Sequence, residues 1–346
     1  MSRRRLYLDD APGERRGVVT LGGRPERLFL ERQDDLDEPW LGRRYVARVA
    51  RVERVLSSAF LDLGGGQEAM LGLTGAAQTL AEGSAIDIEI AAEARRGKLA
   101  QARFLGPGEG GARPLTQQPD LAARLRACAP DRPPVLGGEA REAADEAEAQ
   151  VLAVEHPLPD GGSLAIEPTR ALVAIDVDLG GRLGDARRAA RQANLAAIGE
   201  AARLLRLKGL AGLVVMDLVG SGHDGSALAA AAREAFGPDE PGVALGPISR
   251  FGALQLALPW RVRPRRELLC EASGELSHAT VALRLLRALE REGEADRGGR
   301  LLARCAPAVA ARAKAYAGAL AERIGPRFEI RPDPAMTADE MEVKVQ

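Results

Sequence analysis

Apolar and polar residues alternate in short runs through the N-terminal third of the chain, a period of two that is typical of β-strands. The first runs, within residues 3–33, are separated by Pro-Gly and Gly-Gly turns and predict a three-stranded meander. Residues 43–105 hold five further runs, in which valines are interspersed with polar residues and glycines mark the turns. Five short strands joined in this way predict a small closed barrel.

After residue 135 the pattern changes to strands that alternate with helices. Residues 106–135 are rich in Gly and Pro and read as a linker with one short helix. The elements predicted next are a polar helix at 139–151, strands at 163–166 and 171–177, a helix at 185–208, a strand at 212–217 and a helix at 226–236. This alternation predicts an α/β unit.

The C-terminal part repeats that alternation on a smaller scale. Helices are predicted at 276–291 and 306–324, strands at 300–305 and 327–331, and the last dozen residues are expected to be frayed. We divide the chain into an N-terminal strand element (1–40), a barrel (41–106), a linker with a helix (107–150), a catalytic unit (151–262) and a small C-terminal domain (263–346).

Two aspartates stand where two apolar strands of the α/β unit end. Asp176 follows the run 171–175, Asp217 follows the run 212–216, and one long helix joins the two strands. That connection predicts parallel neighbours about 5 Å apart, with both carboxylates at their carboxyl ends. Open α/β sheets bind ligands at such ends.

Carboxylates placed this close repel each other, and a hard divalent cation removes that cost by binding oxygen. We therefore expect Mg²⁺ or Mn²⁺ at Asp176 and Asp217, where the ion would neutralise a phosphodiester and activate a water. Asp178 faces the same way along its strand and is expected to orient that water. The alternative is structural, because an aspartate at a strand end often caps a helix or closes a turn.

The helix between the two strands is strongly basic. Residues 182–208 contain only two acidic residues, Asp185 and Glu200, but seven basic ones: Arg182, Arg187, Arg188, Arg191, Arg203, Arg206 and Lys208. A metal ion surrounded by arginines suits a polyanion, so Arg187 and Arg191 are expected to contact nucleic acid. The alternative is a solvated helix face in a chain that uses Arg for nearly all of its positive charge.

Composition adds limits to this picture. The length of 346 residues allows two or three compact units, and the formal net charge of −1 does not by itself predict a nucleic-acid partner. Three cysteines without close pairing, Cys128, Cys270 and Cys305, argue against a disulfide framework and favour a reducing cytosol. No apolar run approaches the ~20 residues of a membrane span, so we expect a cytoplasmic protein.

Several blocks of the sequence resemble the ribonuclease E/G family of bacterial endoribonucleases. "GGSLAIEPTRALVAIDVD", "ANLAAIGEAARLLRLKGLAGLVVMDL" and "ISRFGALQ" match its diagnostic blocks in the right order and at nearly the right spacing, and "GRRYVARVARVERVLSSAFLDLGGGQEAMLGL" is similar to the start of its RNA-binding barrel. The resemblance implies an α/β multidomain fold. Its parts would be an OB-type barrel, a DNase I-like α/β catalytic unit and a small C-terminal α/β domain.

The same resemblance implies roles for particular residues. Asp176 and Asp217 would bind the catalytic Mg²⁺ of an enzyme that acts on single-stranded RNA. The family commonly has Asn at the position of Asp178, so the carboxylate here is expected to tighten metal binding or alter the orientation of water. In the matching blocks, RNA contacts are expected from Asn194, Ser249 and Arg250, whereas Phe251 and Gly252 are expected to be structural.

RNA-binding barrels combine basic residues with aromatic platforms. The barrel offers for this purpose Arg44, Arg48, Phe60, Met70 and Lys98. Met70 stands where the family has a second aromatic residue, so we expect weaker and less selective binding; for Phe60 the alternative is simple barrel core. The basic stretch 261–267, "RVRPRRE", would either contact phosphates or form a solvated hinge.

The chain also departs from the family pattern. The family's insertion between barrel and catalytic unit, which senses a 5′-monophosphate, shrinks here to the linker at 106–135, so we expect 5′-end sensing to be absent. The family's zinc motif, Cys-Pro-x-Cys, is replaced by "CEAS", which leaves Cys270 alone. A closed zinc site needs four N or S ligands, and we do not expect zinc.

These observations predict an Mg²⁺-dependent endoribonuclease that cleaves single-stranded RNA in rRNA or mRNA processing, with a homodimer as an assembly to test. The alternative is a non-catalytic RNA-binding protein on the same scaffold. It stays open because the segment after Asp217 lacks several charged groups that are usual in the family.

Overall fold

The computed structural model describes residues 4–33, 38–117, 119–159, 161–181, 186–221, 224–239 and 241–346. Its first sheet is the predicted meander, with β1 (Arg4–Ala11), β2 (Glu14–Leu21) and β3 (Arg24–Arg32) antiparallel in chain order. Side chains of alternate positions point to opposite faces of a strand, and both faces of this sheet are covered. Leu6 and Val19 pack on the short linker helix α1 (Leu121–Cys128), while Val18 and Leu28 join the central core.

The barrel follows as a closed set of five strands, which confirms the OB-type prediction. Its strands are β4 (Arg44–Glu53), β5 (Ser58–Gly64), β6 (Gln67–Gly72), β7 (Ala85–Ala92) and β8 (Ala100–Pro107). They run in the order β5-β6-β8-β7-β4, and pairing of β4 with β5 closes the barrel. A two-residue strand, β9 (Arg113–Pro114), extends the β4 edge.

The central sheet holds the candidate site. Its strands are β10 (Glu155–Pro157), β11 (Ser163–Pro168), β12 (Val173–Asp178), β13 (Gly212–Asp217), β14 (Ala244–Leu245) and β15 (Ala253–Leu258), in the order β10-β11-β12-β13-β15-β14. The helices of this unit are α2 (Gly138–Leu152), α3 (Ala186–Lys208) and α4 (Gly225–Phe236). As predicted, β12 and β13 are parallel neighbours joined by α3.

One face of the central sheet is buried and the other is open. Ile175, Met216 and Leu254 point into the core with the inner side of α3, whereas Asp176 and Gln255 alternate with them and are exposed. Because side chains alternate along a strand, the whole outward row of the sheet faces solvent. This open face carries the carboxylate pair.

The C-terminal part forms a smaller α/β unit with its own core. It contains α5 (Arg265–Leu269), α6 (His278–Ala295), β16 (Leu301–Cys305), α7 (Pro307–Lys314), α8 (Ala317–Ile324), β17 (Phe328–Pro332) and β18 (Met341–Val345). Its three strands are ordered β17-β16-β18.

Two expectations for this unit are wrong. The single helix at 306–324 is two helices, because the backbone of Tyr316 (φ −106, ψ 5) leaves helical geometry and lets its ring pack on Gly13. The last residues are not frayed, since β18 pairs along the whole of β16 and Val343 packs on the core. A central strand needs a neighbour on each side to satisfy its backbone groups, and β18 supplies the second one.

A buried ion cluster ties this unit to the N-terminal sheet and α2. The fully buried Arg16 donates hydrogen bonds to the carboxylates of Asp9 and Glu148. Arg287 of α6 donates hydrogen bonds to the carboxylates of Glu148 and Glu14. Although burial alone would raise the pKa of Glu14, the guanidinium groups around it hold that pKa below its ordinary value. Buried charges persist only when they are paired in this way.

Candidate functional site

Asp176 and Asp217 lie side by side at the carboxyl edge of the central sheet. The register of β12 and β13 sets the two residues opposite each other, and neighbouring strands are about 4.8 Å apart. Both side chains are exposed on the open face. Neither carboxylate forms an ion pair with any described residue. The prediction that the two aspartates end parallel neighbouring strands side by side is therefore confirmed.

Asp178 shares the exposed side of β12 but stands apart from β13. Its partner in the sheet is Ser163 of β11, and its Oδ1 accepts a hydrogen bond of 2.6 Å from the backbone N–H of Gly180. Within the described ranges no group of three His, Cys, Asp or Glu residues is placed to hold a metal ion. The described carboxylates thus form a pair, with Asp178 closing the turn that follows β12.

Asn194 lies beneath this edge rather than on it. Its side chain is only 1% exposed. The side-chain amide donates a hydrogen bond of 3.0 Å to the carbonyl oxygen of Val219 and accepts one of 3.1 Å from the backbone N–H of Val219. These two bonds fix the segment that follows Asp217 against α3. From this position Asn194 acts on the site by holding the end of β13.

The basic residues of α3 divide into two sets. Arg187, Arg188 and Arg191 are exposed near the start of the helix, and Arg191 lies 3.7 Å from Asp224, which caps α4. The expectation that basic groups along the whole helix surround the metal is wrong. Arg203 and Lys208 are buried at the far end, about 30 Å from the start by helix rise; Arg182 lies outside the described residues.

The buried end of α3 holds the unit together instead. Arg203 bonds Glu200, and Lys208 donates to the carbonyl oxygens of Gln150, Val151 and Ala153, which end α2. Burial lowers the pKa of Lys208 to about 8. These residues stabilise packing and do not face the carboxylate edge.

A tight turn stands directly beside Asp217. Ala253, the first residue of β15, pairs with Asp217, and the turn 249–252 precedes it. The hydroxyl oxygen of Ser249 accepts hydrogen bonds from the backbone N–H groups of Phe251 (3.3 Å) and Ala253 (3.1 Å). The structure therefore brings Ser249 and the neighbouring Arg250 to the carboxylate pair.

Phe251 is a residue whose position sequence reasoning missed. It was expected to be structural, but its side chain is 78% exposed, with the guanidinium carbon of Arg250 4.7 Å from its ring centroid. Gly252, in contrast, has the structural role expected of it, because its φ of +87 completes the turn. The only sequence signal was an aromatic residue between Arg and Gly.

The barrel presents its candidate residues on its outer side. Phe60 alternates with the buried Ala59 and Leu61, so it is not part of the barrel core, and its strand partner is Met70. The guanidinium carbon of Arg51 lies 4.4 Å from the ring centroid of Phe60. These residues form one row across adjacent strands.

The two predicted arginines of β4 differ in their surroundings. Arg44 donates to Glu89 at 3.1 Å, and Arg103 pairs with the same carboxylate. These guanidinium groups hold the pKa of Glu89 below its ordinary value although burial opposes them. Arg48 is exposed on the same strand and pairs with no described residue, so it is the more available cation.

Lys98 lies in a cleft of ≈ 830 Å³ between the barrel and the amino-terminal ends of β12 and β13. Four arginines share this cleft: Arg95, Arg96, Arg170 and Arg266. Arg95 stacks over Trp260 at 4.1 Å. The side chains of Arg96, Lys98 and Arg170 are exposed and form no ion pair with described residues. Sequence reasoning found Lys98 but not its arginine neighbours. Arg95 and Arg96 are close to it in sequence, whereas Arg170 and Arg266 reach the cleft only through the fold.

The stretch 261–267 is not a solvated hinge, and contact of its exposed Arg266 with phosphate stays a prediction. It forms the start of α5, and Arg265 is buried. The backbone N–H of Arg263 donates to Glu93, and Glu267 accepts from the backbone of Arg96. These hydrogen bonds therefore hold the barrel residues Glu93 and Arg96 against the segment 261–267. Nearby, burial raises the pKa of the Cys270 thiol.

The fold and site define an α/β multidomain protein with an OB-type barrel and an exposed pair of aspartates at one sheet edge. A model described as the Ribonuclease E/G family matches residues 137–259, which contain both aspartates. Over this segment the chain is similar to the ribonuclease E/G family.

Proteins from several organisms are similar to part of this chain. The chain is 38% identical over 125 residues to "Ribonuclease E" of Escherichia coli and 34% identical over 154 residues to that of Haemophilus influenzae. It is 32% identical over 136 residues to "Ribonuclease E/G-like protein, chloroplastic" of Arabidopsis thaliana. These matches take in 35%, 39% and 38% of this chain, but only 11%, 16% and 14% of the relatives.

The described residues form eight α-helices, α1 to α8. None of them combines the length and the apolar character that crossing a membrane demands.

Proposed function

We propose that this protein is an Mg²⁺-dependent endoribonuclease that cleaves single-stranded RNA. The observation that carries the proposal is the in-register pair Asp176 and Asp217, exposed on one sheet face and unpaired with described residues. The match of residues 137–259 to the ribonuclease E/G family and the similarity to relatives named Ribonuclease E support the same activity.

The donor set fits a magnesium ion. Mg²⁺ keeps several waters and is usually bound through one or two carboxylates together with substrate phosphates. Asp176 and Asp217 supply those carboxylates, and no described cation competes for them. When bound, the ion supplies charge neutralisation and Lewis-acid polarisation at a phosphodiester.

The other groups at this edge hold the RNA in place. Arg250 is fixed next to Asp217 by the Ser249 turn and is exposed, so it supplies a cation for a phosphate. Arg187 and Arg191 supply exposed positive charge from the start of α3. Asp178 has one oxygen committed to Gly180, and we assign to the other the orientation of the attacking water.

We further propose that RNA approaches from the barrel. Phe60 and Met70 provide a stacking row, with Arg44 and Arg48 of β4 on the same barrel, and the cleft that contains Lys98 continues toward the open sheet face through Leu213. Leu213 and Asp217 lie on the same side of β13, about 13 Å apart. A strand of a few nucleotides spans that distance.

The test is cleavage of a fluorescent single-stranded RNA in Mg²⁺ and in EDTA. We expect cuts that require Mg²⁺ and a loss of at least about 100-fold in Asp176→Asn and Asp217→Asn, since several kcal/mol of charge stabilisation disappear. Glu167→Gln is the matched control, because Glu167 is an exposed acid on the neighbouring strand β11.

Two results would contradict the proposal. Cleavage that continues in Asp176→Asn would exclude this pair as the site. RNA that is retarded on a gel but never cut would instead favour the non-catalytic RNA-binding protein.

The setting of this activity is also a proposal. The three cysteines are free thiols, which suits a reducing compartment, and we propose that the protein processes rRNA or mRNA in the cytoplasm. A homodimer stays a prediction.

A further inference from the structure

Phe251 is an exposed aromatic residue that the packing of the protein does not use. Its side chain is 78% exposed, and among the large apolar side chains that are exposed in the described ranges it is the single aromatic one. The other phenylalanines near a candidate contact, such as Phe60, are half-buried. An aromatic ring left in water adds nothing to the core.

The backbone around Phe251 is nevertheless tightly held. The backbone N–H of Ser249 donates to the carbonyl of Ala253, and the N–H of Gly252 donates to the carbonyl of Ser249. The Ser249 hydroxyl accepts from two further N–H groups, including that of Phe251. The ring is therefore presented from a fixed support rather than from a loose loop.

The turn that carries the ring lies beside the carboxylate pair. Ala253 is opposite Asp217, and Asp217 is opposite Asp176, in three consecutive strands. With strands about 4.8 Å apart, the backbone of Ala253, which directly follows the turn, is within about 10 Å of the backbones of both aspartates. A nucleotide joined to a phosphate at the pair reaches this far.

Arg250 adds a positive charge for a phosphate beside the aromatic ring of Phe251. Its guanidinium carbon lies 4.7 Å from the Phe251 ring centroid, so the cation covers one region of the ring while most of the side chain stays open to solvent. A base has a π-face that stacks on an aromatic ring, and its phosphate pairs with a guanidinium.

We propose that Phe251 is the stacking platform for the base of a nucleotide next to the phosphodiester at Asp176 and Asp217, and that it sets which bond is presented for cleavage. This inference rests on the proposed function. The inference goes beyond the proposed function because it assigns base recognition to a residue that lies outside both the metal-binding pair and the barrel.

The first experiment measures stacking without cleavage. Single-stranded 12-nucleotide RNAs, each with one 2-aminopurine at a different position, are bound to the full chain in EDTA. We expect strong quenching at one position beside the cleavage site, loss of that quenching in Phe251→Leu, and its retention in Phe251→Tyr. Leu keeps an apolar side chain of similar bulk, and the residue is exposed, so folding is preserved; thermal melting verifies this. Leu136→Ala is the control, because Leu136 is another exposed apolar residue (65%) and has no place in the proposed RNA path; it should leave quenching at that position intact.

The second experiment tests the same contact during turnover. An abasic nucleotide at the quenched position should lower kcat/KM of the wild type by about tenfold, and Phe251→Leu should lower it to a similar degree with intact RNA. Phe251→Leu acting on the abasic RNA should show little further loss of kcat/KM, because both changes remove the same interaction. Equal sensitivity to the abasic site in wild type and Phe251→Leu would overturn the inference.

Failure of this inference and failure of the proposed function give different results. RNA that binds and is cut, with the same quenching profile in Phe251→Leu as in wild type, removes only the stacking role. Quenching that depends on Phe251 without any Mg²⁺-dependent cleavage removes only the nuclease. Absence of RNA binding removes both.

Discussion

At the scale of single residues, exposure separates the candidate contacts from the residues that support them. Asp176, Asp217 and Arg250 are exposed at the same edge, and these identities were predictable because each sits at a strand end or in a recognisable block. Asn194 belongs to the same blocks but is buried against Val219. Nothing in a sequence of one chain distinguishes a buried polar residue that positions a segment from one that contacts a ligand.

His156 offers a prediction at this scale. It is 4% exposed, and burial together with the charge of Lys208 lowers its pKa to about 4. The unfolded chain binds a proton near pH 6.5 whereas the folded chain does not, so stability is lost as the pH falls from 6.5 toward 4. His156 contributes up to about 3 kcal/mol of this loss.

Urea unfolding at pH 7 and pH 4.5 checks the prediction. In His156→Leu the difference in unfolding free energy between the two pH values should be smaller than in wild type. His278→Leu is the control, since His278 is an exposed residue at the start of α6 and its replacement should leave that difference unchanged. An equal pH dependence in all three proteins would refute the role of His156.

At the scale of elements, periodicity predicted most strands and helices, including the parallel pair β12 and β13. It failed where a tertiary partner decides the conformation. The C-terminal tail has little local preference for a strand, and it becomes β18 because β16 offers an unpaired edge. The break at Tyr316 likewise follows from packing of its ring on Gly13, on the other side of an interface.

A pair of substitutions tests whether β18 is formed in solution. Val343 is half-buried against the C-terminal core and Val345 is 44% exposed. We expect Val343→Asp to lower the free energy of unfolding by about 1–3 kcal/mol, because a carboxylate would be forced against apolar side chains. Val345→Asp should cost much less. Similar urea midpoints for the two variants would mean that the tail is frayed.

At the scale of the whole molecule, segments far apart in sequence meet to form the cationic cleft and the buried ion cluster. The cleft joins a barrel turn at 95–98 to Arg170 and Arg266 of later elements. The formal net charge of −1 conceals this arrangement, because the cleft lining holds five basic residues against two acids, Glu267 and Glu271. A protein that is neutral in total thus presents a local positive surface suited to a polyanion.

The cleft predicts a change in the salt dependence of RNA binding. The variant Arg96→Ala/Lys98→Ala/Arg170→Ala removes three exposed cations that pair with no described residue. If each contacts a phosphate, the slope of log Kd against log salt for a single-stranded RNA falls by roughly 2, at about 0.7 per contact. Filter binding in EDTA over a salt series measures the slope.

A second triple variant controls for total charge. Arg291, Arg297 and Arg312 are exposed on the C-terminal unit, and replacing them with Ala removes the same formal charge. Their loss should leave the slope within error of the wild type. Equal slopes for both triple variants would exclude the cleft from the RNA path.

The sequence by itself determined the alternation of apolar and polar residues, and therefore the barrel, the α/β unit and the two strands that end in aspartates. Local periodicity and turn chemistry are enough for these features, because each depends on neighbours a few residues away. Only the tertiary structure decided which face each side chain takes: Phe251 and Arg96 outward, Asn194, Arg203 and Lys208 inward, and the tail onto β16. The reason is that burial and pairing depend on groups brought together from distant parts of the chain, and no local pattern records them.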